Sequence, residues 1–477
     1  MRIVPAQPLR QAFDRFLYSP AYFLVLGGLA VLANVFSQEL LAYTFLFPLA
    51  ACVCLFGADL LPLLPFILCA YISPSAANNP GMNEDSIFSL SGSGIYIGIL
   101  FATFVVSLIY RLVKDPDFGG KKMFAKKRKL MSGMCVLGIC YAISGVCSGY
   151  WQEYGWRNLM FAAIQFIGVA GLYWLFSGSV KWAQVPKDYL FWTGICVGYV
   201  LVAEVVSIYL TKDVLQGGTI YREKIFTGWG NYNSMGVLFA MLIPLPFYLA
   251  TKGRLAWVSF GTAFVFLLGL LLTCSRVSIA MGAVIFVASY IAYLVHSRHA
   301  KGRIWLYVLS VLIPIVLTVI FRKQIQLFFD RMTDMGFESF AERSKGYMAG
   351  IRQFLKNPVF GGTFFPVDYD LYVWAQIDSF VTLFPPRWHN TVIQLLATGG
   401  VVCLIGYGIH RYQTVKLFLK NRSYEKAIVG LSIMALLLTS LLDCHFFNVG
   451  PVLLYSAMLA IVECKLDEPN QIKNPTG

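Results

Sequence analysis

Charge is what this chain has least of. Asp, Glu, Lys and Arg make up 13% of its 477 residues, about half of the roughly 25% that a soluble domain carries, so soluble globular classes are excluded. Acidic side chains are the scarcer sign, 24 against 38 Lys and Arg, which leaves a net charge of +14. An excess of that size suggests nucleic acid. The basic residues, however, sit in short loops between apolar runs, where they orient membrane spans, and a nucleic-acid partner is excluded. The 11 cysteines include no CxxC pair and have no histidine at zinc spacing, which argues against a metal site or a disulfide framework. Inside apolar runs, as with Cys52, Cys69 and Cys403, they read as small core hydrophobes. There is no glycine-rich nucleotide loop and no repeat of about 20 to 50 residues. The N-terminal stretch MRIVPAQPLRQAFDRF is long, polar and without the small-residue cleavage site of a signal peptide, so the first apolar run is expected to stay as a span.

What the chain has in abundance is apolar surface: 58% hydrophobic residues, 16% aromatics and a mean hydropathy of +0.66. Apolar runs fall at about 20–37, 40–57, 60–73, 93–111, 130–149, 157–177, 189–210, 232–250, 255–272, 277–295, 304–320, 389–409, 427–443 and 450–463. The second and third contain Pro48, Pro62 and Pro65 and read as a kinked hairpin. The expected architecture is all-α, a polytopic membrane protein with about 12–14 transmembrane helices. Residues 1–477 form a single multi-spanning membrane domain, and 322–388 form one long extracytoplasmic loop containing an amphipathic helix. Alternating the spans from a cytoplasmic N-terminus puts most Lys and Arg inside, including those of KDPDFGGKKMFAKKRK, and leaves the C-terminus cytoplasmic.

The same alternation sorts the histidines. His296, His299 and His410 fall at cytoplasmic ends, and only His389 and His445 lie outside. Pro385 and Pro386 stop whatever precedes them, so a helix is expected to begin at about 387–389 with His389 in its first turn. There the helix dipole and Arg387 favour the neutral imidazole, the state a general base needs. Thr391, Gln394 and Thr398 share one face of that helix, and Gly399-Gly400 permits close approach of a neighbour. Within ESFAERSKGYMAGIRQFLKNP, Phe340, Tyr347, Ile351 and Phe354 oppose charged positions, which predicts an amphipathic helix ended by Asn357-Pro358. Arg276, Arg343, Arg222 and Arg352 are outward arginines at or near span ends, and Arg387 precedes the histidine. Guanidinium forks match phosphate oxygens in a bidentate way, so the set points to a lipid-linked pyrophosphate, held by arginines and attacked by a hydroxyl that His389 deprotonates.

The stretch ERSKGYMAGIRQFLKNPVFGG followed by HNTVIQLLATGG resembles the signature region of the bacterial O-antigen ligases and O-antigen polymerases. YREKIFTGWGNYNSMGVLFAMLIPL and TCSR resemble two earlier features of that family, and the likeness covers roughly 221–408. It implies an undecaprenyl-pyrophosphate-linked glycan donor, a glycan or lipid-linked acceptor, catalysis with no cofactor or metal, and a place in the bacterial cytoplasmic membrane. Membrane lipids, a flippase and a chain-length regulator are further implied partners. By position, His389 is the histidine of the HN motif, Asn390 its asparagine, Arg343 opens the amphipathic helix, Arg276 follows the short turn and Arg222 precedes GNYN. Tyr347 stands where a tryptophan is frequent, and Cys403 where a small or hydroxyl-bearing residue often closes the glycine motif. The reading is a glycosyltransferase that polymerises surface polysaccharide, with an O-antigen ligase as the alternative.

Other features suggest other classes. His445 beside Asp443 reads as a satisfied turn residue, with these two next in line should His389 not be the base, and Glu204 as a proton-relay acid or a paired acid within a span. Asp368, Asp370 and Asp378 suggest a glycosidase-like acid and base. A lipid-linked oligosaccharide flippase would suit fourteen spans but lacks two comparable halves and midplane charge. A non-catalytic scaffold is a third class.

Overall fold

Within hydrocarbon only a helix satisfies its own backbone, so the long apolar runs of this chain become helices. The computed structural model describes residues 7–35, 39–72, 92–114, 129–147, 170–211, 214–216, 219–221, 224–227, 230–252, 256–297, 336–362 and 388–467, with single positions between 159 and 166 and between 308 and 326. Its helices are α1 Gln7–Leu17, α2 Pro20–Val35, α3 Glu39–Phe56, α4 Leu63–Ile72, α5 Gly92–Lys114, α6 Lys129–Cys147, α7 Leu172–Ser179, α8 Tyr189–Thr211, α9 Tyr232–Leu242, α10 Pro244–Leu249, α11 Ala256–Leu272, α12 Arg276–His296, α13 Gly336–Lys356, α14 Thr391–Leu419, α15 Tyr424–Ser440 and α16 Val449–Ile461. Between α8 and α9, β1 Leu215–Gln216 pairs with β2 Thr219–Ile220, and β3 Phe226–Thr227 with β4 Gly230–Asn231, both antiparallel. These two short hairpins were not legible as strands in the sequence.

Among the described residues, six helices are long and apolar enough to cross a membrane, and α1 with α2, bent by 66°, makes a seventh candidate. The apolar helices of α3, α4, α6 and α11 are shorter. The expected run at 304–320 falls mostly outside the described residues, as do parts of the run at 157–177, whose end forms the start of α7. The fold is that of an all-α polytopic membrane protein. The polar N-terminus adds an element the hydropathy runs did not contain. In α1, Leu9, Phe13, Phe16 and Leu17 take one face and Arg10, Asp14 and Arg15 the other, an amphipathic pattern. Asp14 accepts the Ala58 N–H at 2.6 Å, and Tyr18 donates to Asp59 at 2.6 Å.

The broken span 232–249 is the axis of the bundle: 89% of it is buried, against 17% for 94–114. It is broken at Ile243 because Pro244 has no N–H to continue the ladder. Apolar contact with a neighbouring helix is no better than contact with lipid, so the helices are held by close packing and interhelical hydrogen bonds. Phe247 shows the packing, its ring edge-on to Phe260 and Phe286. Ile95, Ile99, Val106 and Val113 of α5 point outward instead, as lipid-facing residues do.

One stacking contact fixes the relative direction of two helices near the site. The His296 ring, at the end of α12, lies parallel to Tyr424 at the start of α15 with centroids 4.0 Å apart. α12 and α15 pack along their length and are therefore antiparallel. Arg276, at the start of α12, thus lies at the same end of the bundle as the turn 441–447 that follows α15.

α14 corrects two expectations. The run was expected to close at about residue 409, with His410 and Arg411 at a loop, but the helix continues to Leu419. His410 is fully buried and its Nε2 meets the Tyr455 hydroxyl at 2.7 Å. The Arg411 guanidinium lies 4.5 Å from the Tyr407 ring, 4.6 Å from Phe446 and 5.1 Å from Tyr455, and donates to the Tyr455 hydroxyl at 2.8 Å. Aromatic faces accept a cation electrostatically, so the charge that ends a hydropathy window does not end the helix. α14 is instead interrupted at Gly400, whose φ is +63° and ψ −160°.

Candidate functional site

The two glycine motifs singled out in the sequence interlock. After α13 ends at Lys356, the segment Pro358–Gly362 enters the break in α14. Val401 N–H donates to Pro358 O at 2.9 Å and Val402 N–H to Val359 O at 3.2 Å, replacing acceptors that a continuous helix would have supplied. The Ala397 carbonyl released by the break accepts from Gly362 N–H at 2.8 Å and from Gln353 Nε2 at 3.1 Å. Ser144 of α6 donates to Gly399 O at 3.0 Å and lies 3.4 Å from Cys403 Sγ, so Cys403 fills the space beside Gly399 as a small packed residue.

α13 is amphipathic and ends where Asn357-Pro358 predicts. Ala349, Gly350 and Gln353 face α14, while Met348, Ile351 and Leu355 are exposed. Small residues let the two helices approach: a Cβ on Gly350 would meet Ile393 and Trp388. The Trp388 ring is fully buried in a small cluster with Ala349 and Ala397.

This packing presents the start of α14 to the turn after α15. Asn390 is the N-cap of α14, its side chain accepting from Val392 N at 2.8 Å and Ile393 N at 3.1 Å. His389 therefore lies before the helix rather than in its first turn, because the asparagine takes the capping role that such side chains favour. Its φ is +49°. Three consecutive carbonyls of the facing turn receive donors from the motif residues: Leu441 from Asn390 Nδ2 at 2.7 Å, Leu442 from Arg343 Nη1 at 3.3 Å and Asp443 from Thr391 Oγ1 at 3.4 Å. Tyr347, one turn beyond Arg343, donates its hydroxyl to His389 O at 3.3 Å.

At the centre, His389 Nδ1 is 3.2 Å from Asp443 Oδ1. The histidine side chain is 39% exposed and the aspartate 7%. Burial alone would push the Asp443 carboxyl up, but His445, His389 and the Cys444 N–H, which donates at 2.7 Å, outweigh it and hold the carboxyl well below the usual carboxylate range. Asp443 is thus an anion between two imidazoles. His445, read from the sequence as a turn residue, is buried with Nε2 3.7 Å from Asp443 Oδ2 and Nδ1 2.9 Å from Asn448 Nδ2. Burial raises the Tyr347 phenol, partly offset by Arg343, and keeps it a neutral donor. Among the described residues no group of His, Cys, Asp and Glu could hold a metal ion.

Arg276 stands on a neighbouring joint at the same end. It follows Ser275, whose hydroxyl donates to Asn233 at 2.9 Å, and Cys274, whose φ is +54°. Asn231 caps α9 by accepting from Ser234 N at 3.1 Å. The GNYN and TCSR pieces thus meet. Arg352 is exposed on α13. Arg222, Arg387, Asp368, Asp370 and Asp378 lie outside the described residues. Glu204 is buried within α8. Asp443 was missed as a partner of His389 because 54 residues separate them; its position in LLDCHFFNVG, a polar break between two apolar runs, was the one signal available.

Fold and site together define an integral membrane protein with a half-exposed histidine, a buried carboxylate and arginines at one end of its bundle. Residues 261–408 match the protein-family model described as O-antigen ligase. The matched span, about a third of the chain, runs from α11 into α14 and includes Arg276, Arg343, His389 and both glycine motifs, so this region is similar to that family over most of the stretch that carries the motif resemblance. No curated protein matches the chain.

Proposed function

We propose that the protein is a glycosyltransferase that takes an undecaprenyl-pyrophosphate-linked oligosaccharide as donor and polymerises surface polysaccharide repeat units. Its site faces outward from the bacterial cytoplasmic membrane, with both termini cytoplasmic, as the distribution of Lys and Arg suggests. The observation that carries the chemistry is the 3.2 Å contact between His389 Nδ1 and Asp443 Oδ1. An ionised carboxylate there accepts the Nδ1 proton and fixes the tautomer, leaving Nε2 as the basic nitrogen. Nε2 takes the proton of the acceptor hydroxyl as its oxygen bonds to the anomeric carbon of the donor sugar. The bond from that carbon to the pyrophosphate oxygen breaks, and its electron pair leaves with the pyrophosphate. Arg343 and Arg276 hold the pyrophosphate and meet its growing charge. Arg222, Arg387 and Arg352 are further candidates for the donor, and Asn390 holds the histidine's loop against the facing turn. A flippase and a chain-length regulator are the partners this chemistry calls for.

The family description favours a second reading, transfer of the finished glycan to a different acceptor, as a ligase does. Purified protein given only the lipid-linked repeat separates the two. A ladder of lengthening lipid-linked glycans identifies a polymerase; a product formed only after lipid A core is added identifies a ligase. No glycan transfer in either mixture would rule out both and favour a transporter or scaffold.

A further inference from the structure

We infer that Gln394 is a positioning residue that sets the contact between His389 and Asp443, an inference that rests on reading those two as the base and its partner. Gln394 lies in the second turn of α14 and is buried. Its side-chain oxygen accepts the Trp388 N–H at 2.9 Å and the Cys444 thiol at 3.4 Å. Trp388 is the residue before His389, and Cys444 the residue after Asp443. One oxygen atom therefore ties together the two chain segments that carry the pair, which the sequence places 54 residues apart.

The conformation of His389 explains why such a tie is needed. A non-glycine residue in the left-handed region costs on the order of 1–3 kcal/mol and persists only where its surroundings over-determine it. After His389, Asn390 is fixed by its capping bonds and its donation to Leu441. Before it, the main chain at Trp388 is held through Gln394, and the Trp388 ring is locked in its own cluster. With both flanking residues fixed, the imidazole can meet Asp443 only with the strained φ. The Cys444 contact sets the other side: the Cys444 N–H already points at Asp443 Oδ1, so moving Cys444 moves the carboxylate. An amide suits this place because it accepts two donors without adding charge beside the pair.

The test is a cycle of Gln394→Leu, Asp443→Asn and the double variant in the full-length protein, assayed with lipid-linked pyrophosphate donor. A misplacement of about 1 Å can cost on the order of 10²-fold, so Gln394→Leu should lower kcat by that order with little change in donor KM. Because Gln394 acts through the pair, adding Gln394→Leu to Asp443→Asn should cost little more; residues in one network are coupled in this way. A second readout needs no turnover: the rate at which diethyl pyrocarbonate modifies His389, followed by mass spectrometry, should change several-fold in Gln394→Leu. Additive losses in the cycle, or an unchanged His389 modification rate, overturn the inference. Full activity of Asp443→Asn overturns the underlying reading of the pair instead, and a changed modification rate would still support the positional link. Should Gln394→Leu fail to accumulate in membranes, Gln394→Met enters the same cycle.

Discussion

Gly361 and Gly400 both adopt left-handed backbone, with φ of +73° and +63°, and each lies against the other's segment. A Cβ on Gly361 would fall 2.4 Å from Gly399 N, and one on Gly400 2.4 Å from Val359 O. The end of α13 and the break in α14 are therefore one joint. The backbone conformation alone makes alanine at either position cost about 1–3 kcal/mol, and the close contact adds to it. Gly400→Ala and Gly361→Ala should lower the thermal midpoint in detergent clearly, while Gly408→Ala, with nothing near its added methyl, should not. Equal midpoints for all three would show that the joint is not as described.

The base assignment is tested by removing each partner. His389→Ala should abolish transfer while leaving insertion and donor binding nearly intact, a loss of about 10²–10⁴-fold for a positioned base. Asp443→Asn should fall in the same range with His389 intact, because an amide can present its NH2 to Nδ1 and select the wrong tautomer. Transfer by His389→Ala at close to the wild-type rate would place the base elsewhere.

Acid acts on this pair in a definite direction. The folded Asp443 carboxyl is held below its ordinary value, so its contribution to stability is complete above the ordinary carboxylate range of about pH 4 and fades only as pH falls through the lower folded value. The stability difference between wild type and Asp443→Asn should therefore persist down to about pH 4 and shrink only in stronger acid. A difference that shrinks already at mildly acidic pH would show that Asp443 is not held as an anion.

If Arg276 and Arg343 grip pyrophosphate with their forks, Arg276→Lys and Arg343→Lys should lose most activity although charge is kept. Wild-type turnover in both would mean that diffuse positive potential is enough.

Topology carries its own check. Single cysteines placed between Lys323 and Arg387 should react with an impermeant thiol reagent in whole cells, and ones placed in KKMFAKKRK should not. Equal labelling would put the proposed site on the wrong side of the membrane.

The sequence made the spans and the importance of His389 legible, because hydropathy and proline punctuation are local signals. What it hid is long-range or cooperative. Asp443 is brought to His389 only by folding, and the Gly361–Gly400 joint needs both glycines to be seen together. Asn390 took the cap that the dipole argument had left to a helix starting at the histidine. The face of α13 that meets α14 was not legible, because glycine and alanine, which count little as apolar, are the residues that allow closest approach.

Arg411 has a consequence for how the chain is made. It lies in the last third of α14, where hydropathy alone would place a helix end and its charge needs partners. Tyr407 is present when α14 emerges, but Phe446 and Tyr455, the other two rings around the guanidinium, are synthesised later. The shelter around the charge is therefore complete only when the last helix packs against α14. The C-terminal hairpin thus acts as an assembly step for the helix that bears the histidine's loop.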